Sequence, residues 1–199
     1  MRADAAGLRA SDMANTSATG GFLSPEQSPA PLEGDALDDF FQEIAAGITG
    51  IDINLVRPRW QETPPPSPPR GTNWIAIGVM NVEGEFDGYL EHDPTGEGQD
   101  KVRRYETIEV LTSFYGPASQ ANAALFRDGL SIPQNNEPFQ LHQMGLADLG
   151  PLLSTADLVN QAWLRRVDFT FRVRRTIFRT YPVLNLKSLD ADLDTNSGA

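Results

Sequence analysis

The chain has 199 residues, 27 of them acidic and 16 basic, for a formal net charge of -11, with two histidines, 15 prolines and no cysteine. The missing cysteine excludes a disulfide framework, a thiolate nucleophile and a zinc–thiolate site, and the acidic balance argues against a protein that wraps nucleic acid. No apolar run approaches the roughly 20 residues of a membrane-spanning helix and the start of the chain lacks the apolar core of a secretory leader, so a soluble, intracellular or particle-bound domain is expected.

Residues 1–33 are rich in Ala, Ser, Gly and Pro and poor in large apolar groups. Such a segment buries too little surface to offset the entropy of ordering it, which predicts a flexible arm. The pattern then changes. Leu37, Phe40, Phe41, Ile44, Ala45 and Ile48 recur at three- and four-residue spacing, which predicts a helix with one apolar stripe running to about Ile48. Asp35 is the expected N-cap, Asp38 and Asp39 complement the helix dipole in the first turn, and Gly50 is the expected stop.

Residues 56–70 read VRPRWQETPPPSPPR, with six prolines. Missing backbone donors and a fixed φ favour extended, polyproline-like geometry. The segment 57–70 is therefore expected to be a stiff connector, with Trp60 anchoring one side against the core or a neighbour. A ligand for a proline-recognition domain is the less favoured reading.

Trp74 to Val82 is rich in β-branched and aromatic residues and predicts a strand with Ile75, Ile77 and Val79 on one face. Phe86 to Glu91 predicts a weaker partner, and residues 93–100 carry turn chemistry. Arg103 to Tyr115 alternates with Ile108, Val110, Thr112 and Phe114 on one side. Tyr105, Thr107, Glu109, Leu111 and Ser113 lie on the other, so the strand is expected to be central or covered by another subunit. Gly116-Pro117 should break it and open a second helix to about Asp128, with Ala118, Ala121, Ala124 and Leu125 inward and Gly129 closing it.

A loop with a short helical turn is expected over 131–143, and a short strand over Met144–Leu149. Trp163 to about Thr176 alternates strictly. Val167, Phe169, Phe171 and Val173 share one face, with Asp168, Thr170, Arg172 and Arg174 on the other. Residues 188–199 are expected to form a second flexible tail, leaving 34–187 as the domain. The predicted fold class is α+β: a mixed, mostly antiparallel sheet flanked by two main helices, with extended N- and C-terminal arms. No aromatic residue shares the Arg172/Arg174 face of the strand, so a base-stacking platform is not expected.

Few residues of the chain fall in patterns that carry chemistry. His92 and His142 lie in no nucleophile–base motif and are expected to be surface or loop residues. Asp93, Glu97 and Asp100 lack the ligand order of a calcium loop around a glycine, and no phosphate-cradling or dinucleotide fingerprint is present. No catalytic residue, cofactor or metal is assigned, and the chain is not expected to be an enzyme.

Charge placement is more informative. Residues 34–100 carry a net of -10 and residues 101–187 a net of +4. Arg165, Arg166, Arg172, Arg174, Arg175 and Arg179 crowd the last strand, against one Asp168. Complementary faces of this kind would let one copy attract the next head to tail. Those arginines, with Glu83, Glu85, Asp87 and Trp60, are the candidate subunit-interface or lumen residues. Solvation alone and contact with DNA phosphates are the competing readings.

The segments LVRPRWQ (55–61), GTNWIAIGV (71–79), RYETIEVLTSFYG (104–116), LFRDGLSIPQNNE (125–137), WLRRVDFTFRVRR (163–175) and RTYPVLNL (179–186) resemble the neck or tail terminator proteins of tailed bacteriophages. The resemblance covers about residues 35–187. It implies a virion protein that forms a ring, usually of six subunits, at the head-proximal end of the tail. Such a ring stops tube polymerisation and meets the head connector, and genomic DNA passes through it without sequence-specific binding. The implied partners are other copies of the chain, the tail tube protein and head–tail connector or adaptor proteins. Another head-completion adaptor or a baseplate component is the alternative.

Overall fold

The computed structural model describes residues 15–25, 30–159 and 162–186. Its helices are α1 (Asp35–Thr49), α2 (Ser119–Leu130) and α3 (Glu137–Leu141). The strands are β1 (Val56–Pro58), β2 (Trp74–Gly84), β3 (Tyr89–Asp93), β4 (Gln99–Tyr115), β5 (Met144–Val159) and β6 (Ala162–Tyr181). They form a sheet ordered β1-β2-β4-β6-β5, with β3 paired to β4 off this path. β1 runs parallel to β2, and the β2–β4, β3–β4 and β5–β6 pairs are antiparallel. This is the predicted α+β class with a mixed sheet, and β4 is the central strand its two-sided apolar pattern implied.

Contacts divide the chain into two units: Pro29–Gly88 with Arg104–Ile177, and a smaller one of Met1–Ser28, Tyr89–Arg103 and Phe178–Ala199. The expected arm lies partly outside the described residues, and the expected tail from Ser188 lies wholly outside them.

In the larger unit the two-residue period of β6 sets the core. Val167, Phe169, Phe171 and Val173 are all buried, as are Ile108, Val110 and Phe114 of β4 and Ile75 and Ile77 of β2. Helices α1 and α2 contribute Phe41 and Phe126, both with no exposed surface. Phe126 meets Phe169 and Phe171 edge-on at 6.0 and 5.7 Å between ring centres, and Phe41 meets Phe171 at 5.9 Å. Such edge-to-face pairs each add about 0.5–1.5 kcal/mol beyond area burial.

Helix α1 buries the predicted stripe, with Ile48 partly covered. Its boundary differs: Gly34 occupies the N-cap with no side-chain cap, so Asp35 is the first helical residue. Gly50 ends the helix in the left-handed region at φ 70°, where a residue without Cβ meets no steric penalty. Asp38 lies in the first turn, as expected, and is also buried, accepting the Val79 N–H at 3.2 Å. Burial pushes its carboxyl up, and the Val79 bond works against that shift.

Helix α2 differs more. It starts at Ser119 and buries Ser119, Ala123, Phe126 and Leu130, while Leu125 is half-exposed and Ala121 exposed. One phenylalanine gains more from burial than the alanines together with a single leucine edge, so Phe126 dictates the rotation of the helix. Gly116 adopts φ 98°, and a Cβ there would collide with the Thr72 carbonyl and Asn73. Gly129 does not close the helix but lies within it, where an added Cβ would sit well inside contact distance of Ile48 Cγ2.

The strands are longer than the pattern suggested. β4 begins at Gln99, β6 reaches Tyr181, and β5 continues to Val159 past an irregularity between Leu149 and Leu152. Gly150-Pro151 sits there, and a bulge is one of the few places a sheet accepts proline. β3 starts at Tyr89 rather than Phe86, whose side chain is fully exposed. β1 was hidden at the front of the proline run, because a three-residue strand carries almost no period.

Replacing Gly129 with alanine should lower stability by about 1–3 kcal/mol through overpacking, although alanine is the better helix former. A second change, Ile48→Ala, should recover part of that loss relative to its own cost. Denaturant melts of the four variants check this non-additivity.

Candidate functional site

The sheet face opposite the phenylalanines carries the charges. β6 alternation puts Arg166, Asp168, Thr170, Arg172 and Arg174 there, and strand pairing brings polar partners from β4 and β5 alongside. Arg59, which extends β1 by donating its N–H to Ile77 O at 2.8 Å, aims its guanidinium at Ser113 Oγ. Ser113 Oγ in turn donates to Asp168 Oδ1. Arg166 closes the chain, with Nη2 to Asp168 Oδ2 at 2.9 Å and Nη1 to Asp157 Oδ2 at 2.7 Å. Its Nε donates to Thr155 Oγ1 at 3.1 Å. One polar network therefore crosses the face from the β1 edge to β5.

Its electrostatics follow from partial burial. Desolvation pulls the Arg59 guanidinium down and pushes the Tyr115 phenol up. Desolvation also pulls on Arg166, but Asp168 and Asp157 outweigh it and hold that group well above its ordinary value. These hydrogen bonds and ion pairs tie β4, β5, β6 and the Arg59 extension of β1 together on this face.

Further along β6, Arg172 holds Glu109 Oε2 through Nε and Nη2 at 3.0 and 2.9 Å. Arg174 pairs with Glu85 and lies 4.4 Å from the Tyr105 ring centre. The aromatic missing from this face of β6 is supplied by its neighbour β4, a correction that strand pairing alone could provide. Arg172, Arg174 and Glu85 are each about half exposed. Glu83 and Asp87 are exposed and form no ion pair among the described residues. Trp60 is 60% exposed and donates its indole N–H to Val79 O at 3.0 Å.

Arg175 is separated from the others. It falls on the buried face of β6, 5% exposed, and donates Nε to Glu106 Oε2 at 2.8 Å and Nη1 to Leu32 O at 2.6 Å. Arg104 takes the second Glu106 oxygen at 2.6 Å. Burial raises the Glu106 carboxyl, and the two guanidiniums outweigh it, holding the group below its usual range. Adjacency in sequence had grouped Arg174 with Arg175, but the strand turns them to opposite faces. Arg165 is exposed and Arg179 half-buried, and neither forms an ion pair among the described residues.

In the smaller unit, His92 Nδ1 lies 2.7 Å from Asp100 Oδ1 and Nε2 lies 2.9 Å from Asn185 Oδ1. Those two bonds raise the imidazole above its ordinary value. Asn185 also donates to the carbonyls of Pro94 and Gly96, fastening the 94–98 turn. Asp93 spends its oxygens on Lys101, Thr95 and Gln99, which hold the carboxyl well below its usual range. The described residues contain no group of carboxylates or histidines placed to hold a metal ion. Ser17, from the expected arm, donates its N–H to Pro182 O and accepts the Leu184 N–H on Oγ.

Arg59, Ser113 and Asp157 escaped the sequence reading. Ser113 did stand on the correct face of the β4 pattern, and that face is the signal that could have found it. Arg59 and Asp157 lay in segments whose strand character was masked by proline.

Residues 35–198 match the family model described as phage neck terminator protein. The match spans well over half of the chain, which therefore belongs to that family. No curated protein matches it.

Replacing Arg175 with methionine should cost about 1–3 kcal/mol, because one oxygen of the buried Glu106 loses its guanidinium while Arg104 keeps the other. The double change Arg175→Met with Glu106→Leu should recover most of that loss in chemical denaturation. For His92, an NMR titration should give a value above 6.5, falling toward it in Asp100→Asn. Its folded-state value is the higher one, so the contribution is complete below the unfolded value and is lost as pH rises through the folded value. The protection factor of the Asp100 amide, with the intrinsic pH dependence of exchange divided out, should fall over that window in the wild-type chain and stay flat in the variant.

Proposed function

We propose that this phage neck terminator protein closes into a homo-oligomeric ring, with six copies as the resemblance implies, at the head-proximal end of the tail. There it ends growth of the tail tube, joins the tail to the head connector and lets the genome pass through its opening. Its role is structural rather than catalytic. The observation that carries this reading is the family match over residues 35–198.

The charge arrangement supports it. A contact repeated around an axis closes when its rotation divides a full turn, and complementary charges disfavour wrong registers. On the charged sheet face Arg166, Arg172 and Arg174 are already neutralised within the chain by Asp157, Asp168, Glu109 and Glu85. A sheet face so balanced has few guanidiniums left to grip phosphate, which suits a channel that DNA must slide through. Exposed Glu83 and Asp87 add acid to the β2–β3 turn, which fits either the lumen rim or a contact with a basic neighbour.

Cryo-electron microscopy of the particle tests the reading. A ring of this chain between the tail tube and the connector is the expected result. A position at the baseplate or inside the head, or a pore lined uniformly by arginine, would overturn it.

A further inference from the structure

A second surface of the larger unit holds unpaired charge. The turn at Arg70-Gly71, the turn at Gly116-Pro117 and the stretch Trp163–Arg165 at the start of β6 enclose a cleft of about 330 Å3. Trp163 is 73% exposed. Arg70 and Arg165 are exposed, and neither guanidinium forms an ion pair or hydrogen bond among the described residues. Other guanidiniums of this unit do find partners: Arg57 on Pro66 O, Arg59 on Ser113, and Arg166, Arg172, Arg174 and Arg175 on carboxylates. The two turns that frame the cleft pack closely: Gly116 at φ 98° leaves no room for a Cβ against Thr72 O, and Asn73 Oδ1 accepts the Ala118 N–H at 2.9 Å. It is a built pocket with an aromatic wall and two free cations.

The chain itself contains a segment of matching chemistry outside the described residues. Leu189-Asp190-Ala191-Asp192-Leu193-Asp194 alternates apolar and acidic residues, and residues 188–199 contain three aspartates and no basic group. Laid down as an extended strand, such a sequence puts its leucines on one side and its carboxylates on the other, about 7 Å apart. The leucine side suits the exposed Trp163 ring. The carboxylates suit Arg70 and Arg165, which can hold them through paired N–H···O bonds.

We propose that the 188–194 segment of one copy docks in the Arg70/Trp163/Arg165 cleft of another, strapping neighbouring copies together. The inference rests on the self-association proposed above and names the surface and the segment that carry it. The strap is an electrostatic and apolar latch, so it weakens with salt.

A labelled peptide of residues 186–199, titrated onto the full chain carrying Asp190→Asn, Asp192→Asn and Asp194→Asn, tests the latch apart from the ring. Saturable binding is expected, weakened at least tenfold by Arg70→Glu with Arg165→Glu and regained by a peptide whose aspartates are replaced by arginine. Absence of binding, or equal binding to the Glu variant, would overturn the proposal. The second arm places a photo-crosslinking residue at Leu193 in a mixture of isotopically heavy and light chains. Heavy–light crosslinks to the cleft are expected, whereas crosslinks only within one chain, or to another surface, would overturn it. A peptide that binds while the particle shows no ring would sink the ring reading and leave the latch standing.

Discussion

Everything in the larger unit depends on the burial of one phenylalanine layer between the sheet and the helices. Phe169 and Phe171 from β6, Phe114 from β4, Phe126 from α2 and Phe41 from α1 have at most 1% exposure; Phe126 meets Phe169 and Phe171 edge to face, Phe41 meets Phe171 likewise, and Phe114 lies tilted against Phe126. A slip of β6 by one residue would exchange these rings for Asp168, Thr170 and Arg172. Desolvating those charges would cost several kcal/mol each. The layer therefore pins the register of β6 against β5 and β4. With the register pinned, the positions of the charges on the far face are no longer free variables.

That far face is organised by the same constraint. Arg166, Asp168 and Ser113 meet because β6 and β4 are neighbours whose inward residues are locked. Arg172 and Arg174 reach Glu109 and Glu85 for the same reason. Surface ion pairs of this exposure contribute only about 0–1 kcal/mol each, so their main effect is on the surface potential. They convert an arginine-rich strand into a face of mixed sign. An assembly protein with such a face can be selective about partners without being sticky to nucleic acid.

Legibility in the sequence followed the strength of periodicity. The apolar stripe of α1 and the alternation of β4 and β6 were legible because one face of each carries several large apolar residues in regular period. Helix α2 was turned to the wrong side because Ala121, Ala124 and Leu125 form a plausible stripe, and only the size of Phe126 overrides it. β1 and the outer half of β5 were obscured by proline at Pro58 and Pro151, a residue that ladders tolerate at edges and bulges. At the candidate site the arginines were visible as composition, but their partners were not. Glu106, Glu109, Asp157 and Ser113 are supplied by other strands, 69, 63, 9 and 55 residues away from the side chains they meet. Pairings of that span depend on topology, which composition does not encode.

The short length of β1 has a further consequence. β1 stops at Pro58, yet β2 continues, so the backbone of Val79 faces an edge with no strand beside it. Two side chains stand in for the missing strand: Asp38 takes the Val79 N–H from α1, and Trp60 supplies a donor to its carbonyl. A foreign strand arriving at this margin would have to expel a buried carboxylate and an indole before gaining its first ladder bond. The margin is thereby blunted against lateral growth. Proteins destined for crowded particles, assembled at high local concentration beside many copies of themselves, need such a guard more than solitary ones do.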